Sequence, residues 1–281
     1  MTTRQINQIV PAMDTSDGAG VRLRRSIGQH QNVRHDPFLM LDEFGSDKPN
    51  EYIAGFPPHP HRGFETVTYM LEGHMLHQDH MGNRGDLRNG DVQWMTAARG
   101  IVHSEMPQQL EGRMRGFQLW LNLPAKEKMK PASYRDIPAA QIPTVQSSNG
   151  TWVKVIAGSA SLDGQLATGP INGLTTQPIY IDVHLPAGQT FTQTVPDAHN
   201  AFIYLYEGEL KLGNDSVPSH AAALLGPGTE VSVTATSDAQ FLLLAATPLN
   251  EPVVQYGPFV MNTREEIEQA VNDYQSGKLT A

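Results

Sequence analysis

The stretch that decides the fold of this 281-residue chain reads Gly55-Phe-Pro-Pro-His59-Pro-His61-Arg-Gly63, and a second part reads Gly100-Ile-Val-His103-Ser-Glu105-Met106. Each part carries two metal-ligand residue types at positions i and i+2. In a β-strand such side chains point to the same face about 7 Å apart, whereas in a helix they diverge. We call His59-Pro60-His61 the first metal arm and His103-Ser104-Glu105 the second metal arm. Both arms are predicted to be strands that offer their side chains to one ion.

Three imidazoles and one carboxylate suit a divalent metal of borderline character, such as Fe, Mn, Cu, Ni or Zn. The chain has no cysteine, so no thiolate competes for the ion. The alternative is that the four side chains form hydrogen bonds inside a barrel or face solvent. Two i, i+2 pairs of ligand-type residues seldom coincide, and the sequence therefore favours a metal site made by His59, His61, His103 and Glu105.

The residues around the arms predict a series of short strands. Alternating apolar and polar residues indicate strands at 65–71, 92–96 and 101–105, and a further run covers 74–80. Glycine-rich turns separate them. Such spacing is typical of an antiparallel barrel or a double-sheet jelly roll, with the arms inside. In the run 74–80, His77 points away from His74 and His80 on a strand, and all three are expected to be surface histidines.

The segments 55–73 and 90–107 resemble the pirin family of bicupins, and two outlying pieces, 24–44 and 248–262, agree with that resemblance. The resemblance implies an all-β fold of two tandem cupin (jelly-roll type) β-barrels with a short C-terminal α-helix. It also implies one metal ion in the N-terminal barrel, with Fe(2+) favoured and Mn, Cu, Ni, Zn or Co as alternatives. The resemblance implies that Glu105 supplies the carboxylate ligand and that Glu65 is not a ligand but contacts the ligand residues. Arg62 and Arg99 are expected either to pair with Glu65 or to be solvated.

The predicted domains are residues 1–135, which bind the metal, and residues 136–281, which do not. A stretch with weak periodicity, Pro124 to Pro143, is the expected connector. An internal offset of 135 residues places Thr194 and Pro196 where the first metal arm stands, and neither can replace an imidazole. The second domain is predicted to end in a helix at about 263–276, because Thr263 to Glu266 form a capping box and Gly277 is placed to end the helix.

Composition narrows the classes of partner. The 20 basic and 29 acidic residues give a net charge of −9, which disfavours binding to nucleic acid and to anionic membranes. The polar N-terminus lacks the apolar region of a signal peptide, and no apolar run has the length of a membrane span. We therefore expect a soluble, cytoplasmic protein.

The pirin resemblance implies a metal-dependent dioxygenase that cleaves flavonols such as quercetin with O2 and releases CO and a depside. Glu105 would accept the proton of the substrate 3-hydroxyl. The alternative is an iron-dependent, redox-responsive regulatory protein that binds a transcriptional or metabolic partner. An isomerase or sugar-binding cupin is a third class, which is disfavoured because no residues outside the segment 55–106 suggest phosphate recognition.

Overall fold

The computed structural model describes residues 2–30 and 33–281, and most of these residues lie in antiparallel sheets. The first twelve strands are β1 Ile6–Pro11, β2 Met13–Asp17, β3 Val21–Arg25, β4 Phe38–Ser46, β5 Phe56–His61, β6 Phe64–Glu72, β7 Met75–Asp79, β8 Arg84–Leu87, β9 Val92–Thr96, β10 Ile101–Pro107, β11 Met114–Asn122 and β12 Ser133–Ile137. The remaining strands are β13 Thr144–Gln146, β14 Trp152–Ala157, β15 Ser159–Leu162, β16 Gln165–Thr168, β17 Ile179–Leu185, β18 Thr190–Thr194, β19 Asn200–Glu207, β20 Leu210–Leu212, β21 Asp215–Val217, β22 Ala221–Leu225, β23 Glu230–Ala235, β24 Ala239–Ala246, β25 Val254–Tyr256 and β26 Phe259–Met261. One α-helix, α1, covers Arg264–Gln275.

The chain forms two compact units that are interleaved in sequence. The unit that contains both metal arms, here called the histidine unit, consists of Met13–Arg34, Phe38–Ala139 and Leu249–Ala281. The other, here called the apolar unit, consists of Met1–Ala12, His35–Pro37 and Ala140–Pro248. The expected division into 1–135 and 136–281 differs from this arrangement at both ends of the chain.

The histidine unit contains two main sheets that share one core. The seven-stranded sheet has the order β12-β9-β6-β11-β4-β3-β2, and the four-stranded sheet has the order β5-β10-β7-β8. Leu23 and Phe44 from the first sheet pack with Met75 and Leu87 from the second. This is the double-sheet arrangement that the strand spacing predicts. A two-stranded sheet of β25 and β26 belongs to the same unit.

The apolar unit repeats this architecture with a filled interior. Its seven-stranded sheet has the order β1-β22-β19-β24-β17-β14-β13, and its four-stranded sheet has the order β18-β23-β20-β21. Buried Phe191, Phe241 and Leu243 lie in one cluster that draws on both sheets. Strand β1 belongs here because it pairs with β22, with Val10 opposite Ala222, and forms the edge of the sheet.

The strands predicted from alternation are confirmed. Strand β9 has the predicted bounds, and β10 begins at the predicted residue. The stretch Pro124 to Pro143, predicted as the connector, contains the boundary between the units, after Ala139, and also the strand β12. That strand has only one partner, β9, and lies at the edge of its sheet. Its sequence, Ser133-Tyr-Arg-Asp-Ile137, lacks a sustained apolar alternation because only one of its five side chains is buried.

The predicted helix and its cap are present. Thr263 accepts a hydrogen bond from the Glu266 backbone N–H, and the Glu266 side chain accepts one from the Thr263 backbone N–H, which completes the capping box. Ile267 and Ala270 are the buried face of the helix and pack on Phe259 and Met261 of β26. Helix α1 therefore lies on the histidine unit. No helix among residues 2–30 and 33–281 is long and apolar enough to cross a membrane.

Candidate metal centre

The first metal arm lies at the end of β5, an edge strand. Strand β5 pairs only with β10, so one of its sides carries no ladder hydrogen bonds. Proline has no N–H to donate and is tolerated at such an edge, which accounts for Pro57, Pro58 and Pro60 within a strand. His61 is 3% exposed and His59 is partly exposed. The Nδ1 atom of His59 donates to the carbonyl oxygen of Pro57 at 2.8 Å. This hydrogen bond leaves the lone pair of Nε2 free for a metal.

The second metal arm lies in the middle of its sheet, in β10. His103 and Glu105 are buried. Val102, which precedes His103, and Ser104, which lies between the two ligand-type residues, are only partly buried, so the expected i, i+2 alternation is present. His103 stands opposite His59 in the ladder. A register shift follows between His103 and Glu105, and it places Glu105 opposite Phe56. The arms therefore run antiparallel with their ligand-type side chains on a common face.

The three predicted histidines converge. The ring centroid of His59 lies 4.7 Å from that of His61 and 4.4 Å from that of His103, and the last two rings are 4.9 Å apart. One potential ligand atom from each of the three lies within 4.8 Å of the others. Glu105 belongs to a second such group, with His77 and His103. Since His103 is common to both groups, the described residues form one continuous cluster.

The expectation for His77 is corrected by the structure. Its side chain is fully buried, and its Nδ1 atom lies 3.3 Å from the Nδ1 atom of His103. His74 and His80 lie on the opposite face, where they are partly exposed and exposed. The alternation argument correctly separated His77 from these two, but it did not identify which face is inward. Its position opposite Glu105 in the β7–β10 ladder decides this.

Burial sets the charge of these groups. It lowers the pKa of His61 and of His103 well below the ordinary histidine value, so both imidazoles are neutral and keep a lone pair for a metal. Burial also raises the pKa of Glu105, an effect that His59, Thr68 and Gln118 oppose. The Thr68 hydroxyl lies 3.0 Å from Oε1 of Glu105. The cluster thus combines neutral imidazoles with one carboxyl group held by a neighbouring hydroxyl.

The residues present fit a divalent metal ion. Among the described residues, the ring nitrogens of His61 and the Nε2 atoms of His77 and His103 are buried without a hydrogen bond of good geometry, and a backbone group of Pro258 only partly offsets the effect of burial on the His61 pKa. Buried polar atoms are nearly always paired, since an unpaired one costs roughly 1–3 kcal/mol. Several orphaned imidazole nitrogens around one point are what a metal site requires.

Arg62 and Glu65 have partners that the sequence did not indicate. Arg62 is 3% exposed, and its Nη1 atom donates to Oδ2 of Asp273 at 2.7 Å, while Nε donates to the Arg99 carbonyl oxygen. Glu65 instead accepts a hydrogen bond from the Thr96 hydroxyl at 2.6 Å. The two expected outcomes for Arg62, pairing with Glu65 or solvation, are therefore both wrong.

The C-terminal segment packs directly against the residues that flank both arms. A Cβ atom on Gly63 would lie 1.9 Å from the Val260 carbonyl oxygen, and one on Gly100 would lie 2.3 Å from that of Leu279. Both glycines also have positive φ, of 96° and 154°. Glycine is therefore required at the end of the first arm and just before the strand of the second.

A cavity of about 880 Å³ opens beside the cluster within the histidine unit. His59, His61 and Glu105 line it together with Gln118 and Trp120. The other lining residues are of two kinds: apolar and aromatic ones such as Leu39, Met40, Phe44 and Phe56, and charged ones, Asp17, Arg25, Arg34 and Asp42. The cavity is thus large enough for an aromatic molecule of several rings that reaches the candidate metal ligands.

The apolar unit offers no equivalent cluster among the described residues, in which both ligand groups belong to the histidine unit. Thr194 and Pro196, which the internal offset aligned with the first arm, are exposed at and beyond the end of β18. The interior of the apolar unit is occupied instead by its hydrophobic cluster.

Comparisons with known proteins agree with this architecture. A family model described as Pirin matches residues 20–121, and one described as Pirin C-terminal cupin domain matches residues 180–280. A protein of Pseudomonas aeruginosa named "Putative quercetin 2,3-dioxygenase" is 52% identical over 280 residues, which is 98% of each chain. A pirin-like protein of Caulobacter vibrioides is 49% identical over 278 residues, covering 99% of this chain and 100% of that one.

A solved structure extends the agreement to three dimensions. The crystal structure of a quercetin 2,3-dioxygenase from Acinetobacter baumannii superposes with a TM-score of 0.91 at 33% identity, covering 99% of both chains. The predicted fold class, two cupin domains with a short C-terminal helix, is confirmed.

Proposed function

Because the chain belongs to the pirin family, we propose that it is a metal-dependent dioxygenase that cleaves flavonols such as quercetin with O2 and releases CO. The observation that carries this proposal is the cluster of orphaned imidazole nitrogens at the wall of a large aromatic-lined cavity. Support also comes from the relatives, among which full-length matches are named as quercetin 2,3-dioxygenases.

In this proposal His59, His61, His103 and Glu105 hold one divalent ion, with Fe(2+) as the preferred metal. When bound, the metal would supply Lewis acidity next to the cavity. A three-histidine, one-carboxylate set extends the ligand set of non-haem iron oxygenases, which leave coordination positions open. His77 is the further member of the cluster and supports His103 through the contact between their Nδ1 atoms.

The chain's own residues would position the flavonol and take up its proton. Phe44, Phe56 and Trp120 offer apolar surface to a flat ring system and exclude water from it. Glu105 is the proposed acceptor of the 3-hydroxyl proton, because it is the carboxyl group of the cluster that lines the cavity.

The test separates the ligand and base roles of Glu105. Anaerobically purified protein loaded with Fe(2+) should consume O2 with quercetin and release CO. Glu105→Gln keeps a carbonyl donor but cannot accept the proton, so its rate per bound metal should fall by about 10²- to 10⁴-fold. The measurements are oxygen uptake, CO release and bound metal on the same samples.

His103→Ala is the matched control, because it deletes a ligand and should lose metal and activity together. An unchanged rate per bound metal in Glu105→Gln would contradict the base role. No flavonol-dependent oxygen uptake above that of free metal would contradict the dioxygenase proposal and favour the regulatory alternative.

A further inference from the structure

Among the residues that the structure describes, Arg34 in the cavity wall has no counter-charge. Arg34 lines the same cavity as His59 and Glu105, and its guanidinium is half-buried. Its Nη2 atom donates to the neutral side chain of Gln255. Its Nε atom is buried with no partner among the residues that the structure describes. No carboxylate of the described residues lies at ion-pair distance, so the charge of Arg34 is uncompensated.

The second arginine of the cavity shows the contrast. Arg25 donates through Nε and Nη2 to both carboxylate oxygens of Asp42, at 2.8 and 2.7 Å, and through Nη2 to Asp17 at 2.9 Å. These two carboxylates raise the pKa of Arg25, whereas burial lowers that of Arg34. The same wall thus contains one arginine with two acidic partners and one with none.

Partial burial of a guanidinium without an anionic partner costs free energy that an anion would offset. Arginine stays protonated in proteins, so loss of the proton cannot relieve the free-energy cost of burying the charge. A structural role for Arg34 needs only the hydrogen bond to Gln255 and leaves the buried Nε–H unexplained. A negatively charged ligand oxygen that meets the exposed part of the guanidinium would compensate the charge of Arg34.

We propose that Arg34 is a binding residue for an anionic oxygen on the ligand of this cavity, so that the preferred substrates are aromatic molecules with a carboxylate or ionised phenol. This inference rests on the proposed function for the position of the ligand and names its substrate class. The apolar and aromatic walls bind the ring system, and Arg34 selects for the charged substituent. The planar guanidinium can donate two parallel N–H bonds to a carboxylate, whereas the ammonium group of a lysine acts as a point charge.

The probes are 3-hydroxyflavone-4′-carboxylate and its uncharged methyl ester. Their dissociation constants are measured by calorimetry without O2 on metal-loaded protein, so that no turnover is needed. The native chain should bind the carboxylate about tenfold more tightly than the ester, the discrimination expected of a hydrogen bond to a charged group. In Arg34→Gln the two constants should agree within about twofold, and Arg34→Lys should recover part of the preference.

Arg22→Gln is the matched control, since Arg22 is an exposed arginine on β3 that pairs with Glu51 and does not line the cavity. It should keep the preference. Equal constants in the native chain, or a preference that persists in Arg34→Gln, would overturn the proposal. A missing dioxygenase activity would not affect these constants, so failure of the proposed function remains distinguishable from failure of the role of Arg34.

Discussion

At the scale of single residues, His77 has neighbours that define its role beside the candidate ligands. Its Nδ1 atom meets Nδ1 of His103, its Nε2 atom lies 4.0 Å from Oδ2 of Asp79, and its ring stacks on Tyr134 at 4.9 Å. If His103 binds the metal through Nε2, its Nδ1–H donates to His77. That hydrogen bond fixes the tautomer and the ring orientation of His103.

We therefore expect His77→Phe to weaken metal binding without unfolding the protein. Phenylalanine keeps the ring and its stacking on Tyr134 but cannot accept the hydrogen bond from His103. The loss of such a partner typically lowers metal affinity by about 10- to 100-fold. The measurement is the metal dissociation constant by competition with a chelator, alongside the circular dichroism spectrum.

Two further variants make this prediction specific. His77→Asn keeps an acceptor near the position of Nδ1 and should recover part of the affinity. His74→Phe changes a histidine on the outer face, where it pairs with Asp86, and should leave the affinity unchanged. Native affinity in His77→Phe would show that His103 needs no support from His77.

At the scale of elements, the C-terminal segment holds the first metal arm through Arg62. This buried arginine follows His61 directly and joins it to Asp273 of α1, to the Arg99 carbonyl oxygen and, at 3.4 Å, to that of Leu279. The hydrogen bond from Arg62 lowers the pKa of Asp273. Helix α1 is therefore linked to both arms, because Arg99 precedes the strand of the second arm.

Removal of this link should loosen the arms. Arg62→Met should lower the free energy of unfolding by about 1–3 kcal/mol, because it leaves buried carbonyl oxygens unpaired. Asp273→Asn should cost less, since it removes the charge of one of the three partners and keeps an oxygen that can accept. A double-mutant cycle by urea unfolding should give a coupling energy of about 0.5–3 kcal/mol between the two sites.

Arg264→Met, at the exposed start of the same helix, is the control and should change stability by at most about 0.5 kcal/mol. The metal dissociation constant of Arg62→Met should rise as well, although Arg62 itself is not a ligand. Additive effects of Arg62→Met and Asp273→Asn would contradict the link between helix and arm.

At the scale of the whole molecule, each terminus contributes to the unit that is distant in sequence. Strand β1 completes a sheet of the apolar unit, and residues 249–281 complete the histidine unit. Truncation at the N-terminus would therefore damage the apolar unit, most of which lies in the second half of the sequence. Truncation at the C-terminus would damage the histidine unit, most of which lies in the first half. The short segment His35–Pro37 likewise belongs to the apolar unit.

His35 makes the stability of the apolar unit dependent on pH. Its Nε2 atom lies 3.1 Å from the Ala201 carbonyl oxygen, and burial lowers its pKa below the ordinary value of 6.5. The unfolded chain therefore takes up a proton at higher pH than the folded chain does. The stabilisation is complete above about pH 6.5 and is lost as the pH falls through the lower, folded pKa.

We expect His35→Gln to reduce this dependence. Glutamine can still donate to the Ala201 carbonyl oxygen but does not titrate. The difference in unfolding free energy between the native chain and the variant should decrease as the pH falls below 6.5, by at most about 1.4 kcal/mol per pH unit for one proton. Urea unfolding at several pH values measures it, and parallel curves for the two proteins would contradict the role of His35.

The sequence by itself determined the features that depend on local periodicity. Alternation predicted β6, β9 and β10, and the capping box predicted α1, because side-chain direction and helix capping are set by neighbours in the chain. The same periodicity placed two ligand-type residues on one face of each metal arm. The pirin resemblance then supplied the fold class, which the comparisons confirm.

Only the tertiary structure decided which strands and side chains meet. Periodicity separates the two faces of β7 but does not say which face is buried, so His77 was assigned to the surface. The pairing of Arg62 with Asp273 joins residues 211 positions apart, and the sheet that β1 joins depends on a free edge at β22. The uncompensated charge of Arg34 is likewise visible only against the neighbouring carboxylates of Asp17 and Asp42, because ion pairing depends on distance in space rather than on spacing along the chain.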